Sequence, residues 1–172
     1  NSITAAMVGN DLISGKTALT SSPDDTDELL ISDAGTIKRI DVSLVGGKNT
    51  PSFHVYESSS QTVTTNTYTK VTLDEELYDT NNNFASSRFT PTTAGKYFIY
   101  GNLHLDGSSY PSYTETAIYK NGSVIARNFT AQSSANIYGN KFISTTVDMN
   151  GSSDYVELYL KLTRGGSCLF VG

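Results

Sequence analysis

The chain has 172 residues and a formal net charge of −5, with 37% hydrophobic and 17% charged residues. Its Lys and Arg residues are scattered and form no basic stripe, which argues against a nucleic-acid partner. No apolar run approaches the ~20 residues that a membrane-spanning helix needs, so we expect no membrane insertion. The only cysteine, Cys168, excludes an intrachain disulfide and a cysteine-based zinc site.

The first 47 residues predict a connector or arm that differs from the rest of the chain. Its opening stretch ITAAMVGNDLISG fits either a short helical turn or an extended segment, and the polar, acidic SSPDDTDE follows. The stretch ELLISDAGTIKRIDVSLV predicts a β-hairpin with strands over 29–32 and 37–45. The linker-like GGKNTP then places the boundary between an arm, residues 1–47, and a second domain, residues 48–172.

From residue 51 onward the pattern is strand after strand, with no convincing 3.6-residue period. Short strands at regular spacing, joined by turns rich in Gly and Asn, predict an all-β sandwich or jelly roll. Asn121-Gly122 predicts a two-residue type I′ turn between two strands, because both residues tolerate a positive φ.

The segment AGKYFIYGNLHL, residues 94–105, alternates with a period of two, which predicts a strand with two distinct faces. One face is apolar and is expected to line a core; it carries Tyr97, Ile99, Leu103 and Leu105. The other face carries Lys96, Phe98, Tyr100, Asn102 and His104. Since a strand facing water rarely carries Phe, this second face is a candidate for a catalytic site, a ligand or another copy of the chain.

Scattered positions over residues 51–172 resemble the C1q/TNF-like jelly-roll family. The resemblance rests on an aromatic-acidic pair before a turn, a Gly-x-Tyr-x-Phe-type strand, a Lys-Asn-Gly hairpin and a closing Phe-x-Gly strand. These features are found at Tyr78-Asp79, Phe84, Phe89, Pro91, Gly95, Tyr97, Lys120-Asn121-Gly122 and Phe170-Val171-Gly172. No collagen-like repeat precedes them, which argues against the secreted animal adaptors of the family. The N-terminal phrases SITAAMVGNDLISGKTAL and DDTDELLISDAGTIKRIDVS resemble segments of phage tail-fibre and other virion structural proteins.

The resemblance implies a tight homotrimer whose inner sheet faces the threefold axis. Carried over to this sequence, it places Phe98, Tyr100, Asn102 and His104 at the trimer interface, with Lys96 at its rim. Asn102 and His104 can hydrogen-bond to their own copies in such a ring, so they tolerate burial there better than a charge would.

Two polar loops are candidate ligand-binding sites. Residues 107–113 (GSSYPSY) and 130–140 (TAQSSANIYGN) combine Tyr with Ser, Asn and Gly, a mixture that offers stacking surfaces and adaptable hydrogen bonds. The possible ligand-binding residues are Tyr110, Tyr113, Gln132, Asn136 and Tyr138. Each loop can equally be an ordinary connection between strands.

The acidic residues and histidines suggest no catalytic or metal site. Asp24, Asp25, Asp27 and Glu28 fit either a cation site or a solvated acidic loop, and the EF-hand spacing is missing. We interpret residues 79–83 as a turn and residues 74–76 as an exposed acidic strand end. Because His54 and His104 have no partners at metal-ligand spacing and no nucleophile elbow is present, we expect no catalytic residue, metal or cofactor.

Together these features predict a non-enzymatic structural protein on the surface of a virus particle. In this interpretation, residues 1–47 contact other virion proteins, and a trimeric C1q-like jelly-roll knob recognises a host-surface glycan or protein. One alternative is a capsid decoration or cement protein that stabilises the virion shell. A second alternative is an enzyme acting on a surface polysaccharide, which needs two carboxyl groups within about 10 Å across a cleft.

Overall fold

A computed structural model describes residues 17–21, 23–24, 26–45, 49–107, 113–131, 137–163 and 169–170. The chain divides into two compact units, Asn1–Lys48 and Asn49–Gly172. The sequence-based boundary lay one residue earlier, between Gly47 and Lys48. The stretch ITAAMVGNDLISG lies outside the described residues.

The described part of the first unit is an antiparallel hairpin of β1 (Glu28–Asp33) and β2 (Thr36–Asp41). Its two turn residues, Ala34 and Gly35, have φ of 49° and 84°, as a type I′ turn requires. The prediction that the return strand runs to residue 45 is wrong. Because β1 begins at Glu28, opposite Asp41, the chain beyond Asp41 has no strand to pair with. It turns instead into a 3₁₀ helix, Val42–Leu44.

Strands make up almost all of the regular structure described in the second unit. They are β3 (Phe53–Tyr56), β4 (Thr69–Lys70), β5 (Glu75–Asp79), β6 (Phe84–Ala85), β7 (Arg88–Phe89), β8 (Ala94–Gly107), β9 (Tyr113–Lys120), β10 (Ser123–Ala131), β11 (Ile137–Asn150), β12 (Val156–Thr163) and β13 (Leu169–Phe170). The φ values of Asn121 and Gly122, 51° and 78°, confirm the predicted tight turn between β9 and β10.

Two antiparallel sheets dominate the second unit. The larger sheet has the order β10-β9-β12-β7-β6, with β4 also paired to β12, and the smaller sheet has the order β11-β8-β13. A short ribbon of β3 and β5 completes the described strands. The all-β prediction is therefore confirmed. The finer assignment to a C1q/TNF-like jelly roll stays a prediction.

The core consists of two clusters of buried side chains. One contains Val63, Val71, Leu103, Leu105, Leu160 and Leu162, and the other contains Phe89, Ile118, Ile143, Val147, Met149 and Val156. Leu158 packs against both clusters, so they join across β12. Phe53 stacks on Phe89 with ring centroids 4.4 Å apart, which packs the β3–β5 ribbon against the second cluster.

Candidate functional site

The outward face of β8 and β11 carries a group of exposed aromatic rings. The two strands pair along 14 residues each, which aligns Tyr100 with Ser144 and Asn102 with Phe142. The exposed fractions are 71% for Phe98, 59% for Tyr100 and 49% for Phe142. The rings of Tyr100 and Phe142 are stacked, with centroids 6.3 Å apart. We call Phe98, Tyr100 and Phe142 the aromatic face.

The period-two alternation in the sequence produces this face. In β8, Leu103 and Leu105 point into the core and are buried, while Phe98, Tyr100 and their polar neighbours point outward. The predicted two-faced strand is confirmed, and Phe98, Tyr100, Asn102 and His104 all lie exposed on one side of it.

Polar pairs border the aromatic face at both ends. His104 Nδ1 and Asn140 Oδ1 lie 2.9 Å apart across the two strands. At the other end, Lys96 Nζ donates to both carboxylate oxygens of Asp148, at 2.7 and 2.8 Å. An apolar centre with a polar border is the arrangement found in protein–protein interfaces. Residues with this chemistry can bind another protein surface, and none of these side chains forms a nucleophile–base pair with its neighbours.

Sequence reasoning missed Phe142, although a signal for it was present. In the stretch KFISTTVDM the residues Ile143, Val147 and Met149 share one phase and are buried, which places Phe142 in the opposite, outward phase. Applying the period-two rule to β11 as well as β8 would have added Phe142 to the predicted face.

The predicted ligand-binding residues are only partly described. Tyr110, Gln132 and Asn136 lie outside the described residues. Tyr138 belongs to β11 and is paired with Asp106. Tyr113 begins β9, and its ring lies 4.6 Å from that of Phe129 on the neighbouring strand.

The acidic stretches have structural partners. Asp79 Oδ2 accepts a hydrogen bond from the Phe84 backbone N–H (2.7 Å), which stabilises the predicted turn between β5 and β6. Asp74 accepts hydrogen bonds from the backbone and hydroxyl groups of Ser58, which lower the pKa of Asp74. Glu75 and Glu76 are exposed at the start of β5, as predicted for an acidic strand end.

Glu57 is a buried carboxyl group that the sequence pattern did not reveal. It follows β3 and is only 7% exposed. Desolvation, together with the negative charge of Asp74, raises the pKa of Glu57 from 4.5 to about 7. The folded protein therefore holds a proton on Glu57 at pH values where the unfolded chain has lost it.

We expect Glu57→Gln to remove part of the pH dependence of stability. The pKa of Glu57 is raised in the folded state. Its contribution to the free energy of unfolding is therefore fully present below pH 4.5 and is lost as the pH rises through about 7. Ionisation costs the folded state on the order of 3 kcal/mol by pH 8. Urea unfolding should therefore show Glu57→Gln more stable than wild type at pH 8 and nearly equal to it at pH 4.5. Glu75→Gln, an exposed control, should follow wild type. An unchanged pH dependence in Glu57→Gln would contradict this assignment.

In the described ranges, no group of three His, Cys, Asp or Glu side chains is placed to hold a metal ion. Within those ranges there is also no helix that is both long enough and apolar enough to cross a membrane.

No protein-family model matches the chain, and no curated protein is detectably similar to it in sequence. Any functional interpretation therefore depends on the residues and geometry of this chain itself.

Proposed function

We propose that this chain is a non-enzymatic structural protein of a virus particle, in which the second unit forms a homotrimeric knob that recognises the host surface. The observation that carries the proposal is the aromatic face. Phe98 and Tyr100 are largely exposed on one face, and the ring of Phe142 stacks beside that of Tyr100. A soluble protein normally covers a contiguous apolar patch of this kind with a partner.

A second copy of the chain is a suitable partner for this face. The border of this face consists of Asn102, the His104–Asn140 pair and the Lys96–Asp148 pair. In the last pair the positive and negative charges balance, so the border would not repel a second copy. Three copies around an axis would bury the aromatic rings at the centre and leave the Lys96–Asp148 pair at the rim. Trimerisation would also present three copies of a weak binding site, so avidity would increase the apparent affinity for a host surface.

The first unit supports a role as a connector to other virion proteins. The two faces of its hairpin both carry exposed apolar side chains, with Leu29 and Ile31 on one face and Leu30 and Ile37 on the other. An isolated two-stranded hairpin is marginally stable in water, so this one is expected to pack against another protein surface. The same observation favours the second candidate function, a capsid decoration protein whose arm grips the shell.

The oligomeric state tests the proposal directly. Light scattering of the purified chain at micromolar concentration should give a mass of about 55 kDa, three times the 18.5 kDa of one chain. A monomer at that concentration would overturn the trimeric knob. Saturable binding of the trimer to host cells would separate the host-recognition role from the decoration role, since a shell-bound decoration protein need not bind cells.

A further inference from the structure

A second group of aromatic side chains lies on the outer face of the larger sheet. Cross-strand pairing sets Tyr119 opposite Glu157 and Tyr159 opposite Ala117, so these side chains share one face. The rings of Tyr119 and Tyr159 have centroids 4.2 Å apart, and the ring of Tyr68 lies 5.7 Å from that of Tyr119. We call Tyr68, Tyr119 and Tyr159 the tyrosine platform. Ala117 on this face is fully buried, so the larger side chains close over it.

Two carboxylates hold the platform in place. Glu115 accepts a hydrogen bond from the Tyr68 hydroxyl at 2.5 Å. Glu157 accepts hydrogen bonds from the Tyr159 hydroxyl at 3.2 Å and from Arg88 at 2.9 and 3.0 Å. Since both carboxylates are nearly buried and already bonded, they fix the positions of the rings and cations around them.

Cations outnumber carboxylates on this face. The cationic residues are Lys70, Arg88, Arg127 and Lys161, and the only carboxylates among the described residues that pair with them are Glu115 and Glu157. The face therefore has an excess of two positive charges in a chain whose net charge is −5. The Arg127 side chain is 62% exposed and lies 3.9 Å from Glu115, beyond hydrogen-bond distance. Its guanidinium also hydrogen-bonds the Tyr68 hydroxyl. Because a guanidinium has five N–H donors, donors remain that can reach a ligand.

We propose that the tyrosine platform and its surrounding cations bind an acidic carbohydrate. A sugar ring would pack against Tyr119 and Tyr159, since Lys161 already lies over the ring of Tyr68. A carboxylate or phosphate on the sugar would pair with Arg127 and its neighbours. The platform differs from the aromatic face, because its tyrosines are half-buried, carry hydroxyl groups and lie among charges. Such a surface suits a hydrated, charged ligand, whereas exposed Phe98 suits a dry protein interface. This inference rests on the proposed function and gives host recognition a ligand class and a site.

The test is isothermal titration calorimetry of the full chain with three carbohydrate probes in low-salt buffer. The probes are an oligomer of galacturonic acid, a phosphorylated oligosaccharide and a neutral maltooligosaccharide. At least one acidic probe should bind and the neutral one should not, and added salt should weaken binding because it screens the ion pairs. Preference between the two acidic probes identifies whether a carboxylate or a phosphate is recognised.

Two substitutions locate the site. Arg127→Gln should weaken binding of the acidic probe about tenfold, and Tyr119→Leu by at least as much. Arg39→Gln is the matched control, because Arg39 is an exposed arginine of the β1–β2 hairpin, and it should leave binding unchanged. If Tyr119→Leu fails to fold, the loss of binding in Arg127→Gln alone tests the location of the site.

Three results would overturn the site: no binding of either acidic probe, equal binding of the neutral probe, or full binding by Arg127→Gln. Tighter binding of a single-stranded oligonucleotide than of every sugar would overturn the carbohydrate class. Light scattering on the same samples separates this inference from the proposed function. A trimer that binds no acidic sugar rejects only the site, while a monomer that binds one rejects only the trimer.

Discussion

Replacing Tyr100 with glutamate is expected to separate the proposed trimer into monomers that remain folded. Tyr100 is exposed in the single chain, so the substitution removes no core contact. In the trimer, the same position would lie among aromatic rings near the axis. A charge buried there without a partner costs about 3–5 kcal/mol. Each of the three chains would contribute one such buried charge to the interface. Light scattering should give a mass near 18.5 kDa, with an unchanged far-ultraviolet circular dichroism spectrum.

Two controls make the result interpretable. Tyr100→Phe keeps the ring and should stay trimeric, because the loss of one hydroxyl leaves the apolar surface intact. Thr72→Glu adds the same charge at an exposed position outside the aromatic face and should also stay trimeric. If Tyr100→Glu remained a trimer, the interface would lie on another surface, and the aromatic face would need a different partner.

Replacing Gly151 with alanine is expected to lower the stability of the second unit strongly. Gly151 directly follows β11 and has a φ of +71°, a conformation that residues with a Cβ rarely adopt. A Cβ at this position would overlap the backbone nitrogen of Ala94 and lie 2.6 Å from the carbonyl carbon of Thr93. Those atoms belong to the backbone at the start of β8, so they can move only by disturbing the β8–β11 pairing.

Thermal unfolding measures this effect. We expect a loss of about 3–5 kcal/mol, which corresponds to a fall in Tm of roughly 10 °C or more for a domain of this size. Gly95→Ala is the matched control, because Gly95 lies on the facing strand and a methyl group added there would meet no atom of a non-adjacent residue within 4 Å. The Tm of this control should stay near that of wild type. Equal Tm values for the two variants would show that the backbone around Gly151 relaxes at little cost.

The sequence predicted those parts of the fold that depend on local periodicity. Alternation along β8 is a property of the pleat itself, so the buried Leu103 and Leu105 and the exposed Phe98 and Tyr100 could be assigned in advance. The turn at Asn121-Gly122 was likewise predictable, because its positive φ values select those residue types. The end of β2 was not predictable, since it depends on where the partner strand β1 begins.

Features that depend on contacts between distant parts of the chain could not be predicted from the sequence. Tyr68 directly precedes β4, and local periodicity gives no sign that its hydroxyl reaches Glu115, 47 residues away. The raised pKa of Glu57 arises from burial and from Asp74, and neither can be read from the residues beside Glu57. The candidate ligand loops were proposed from composition alone, so their interpretation stays a prediction.

The pairing of distant segments also determines how fast this protein can fold. The turn at Asn121-Gly122 joins β9 and β10 directly, so this hairpin can form on a timescale of about 1–10 μs. By contrast, Lys96 meets Asp148 across 52 residues, and Lys70 meets Glu157 across 87 residues. Closing such long loops costs chain entropy before the contacts repay it, and proteins dominated by non-local strand pairing fold in about milliseconds to seconds. We therefore expect the β9–β10 hairpin to form before the long-range β8–β11 and β4–β12 pairings.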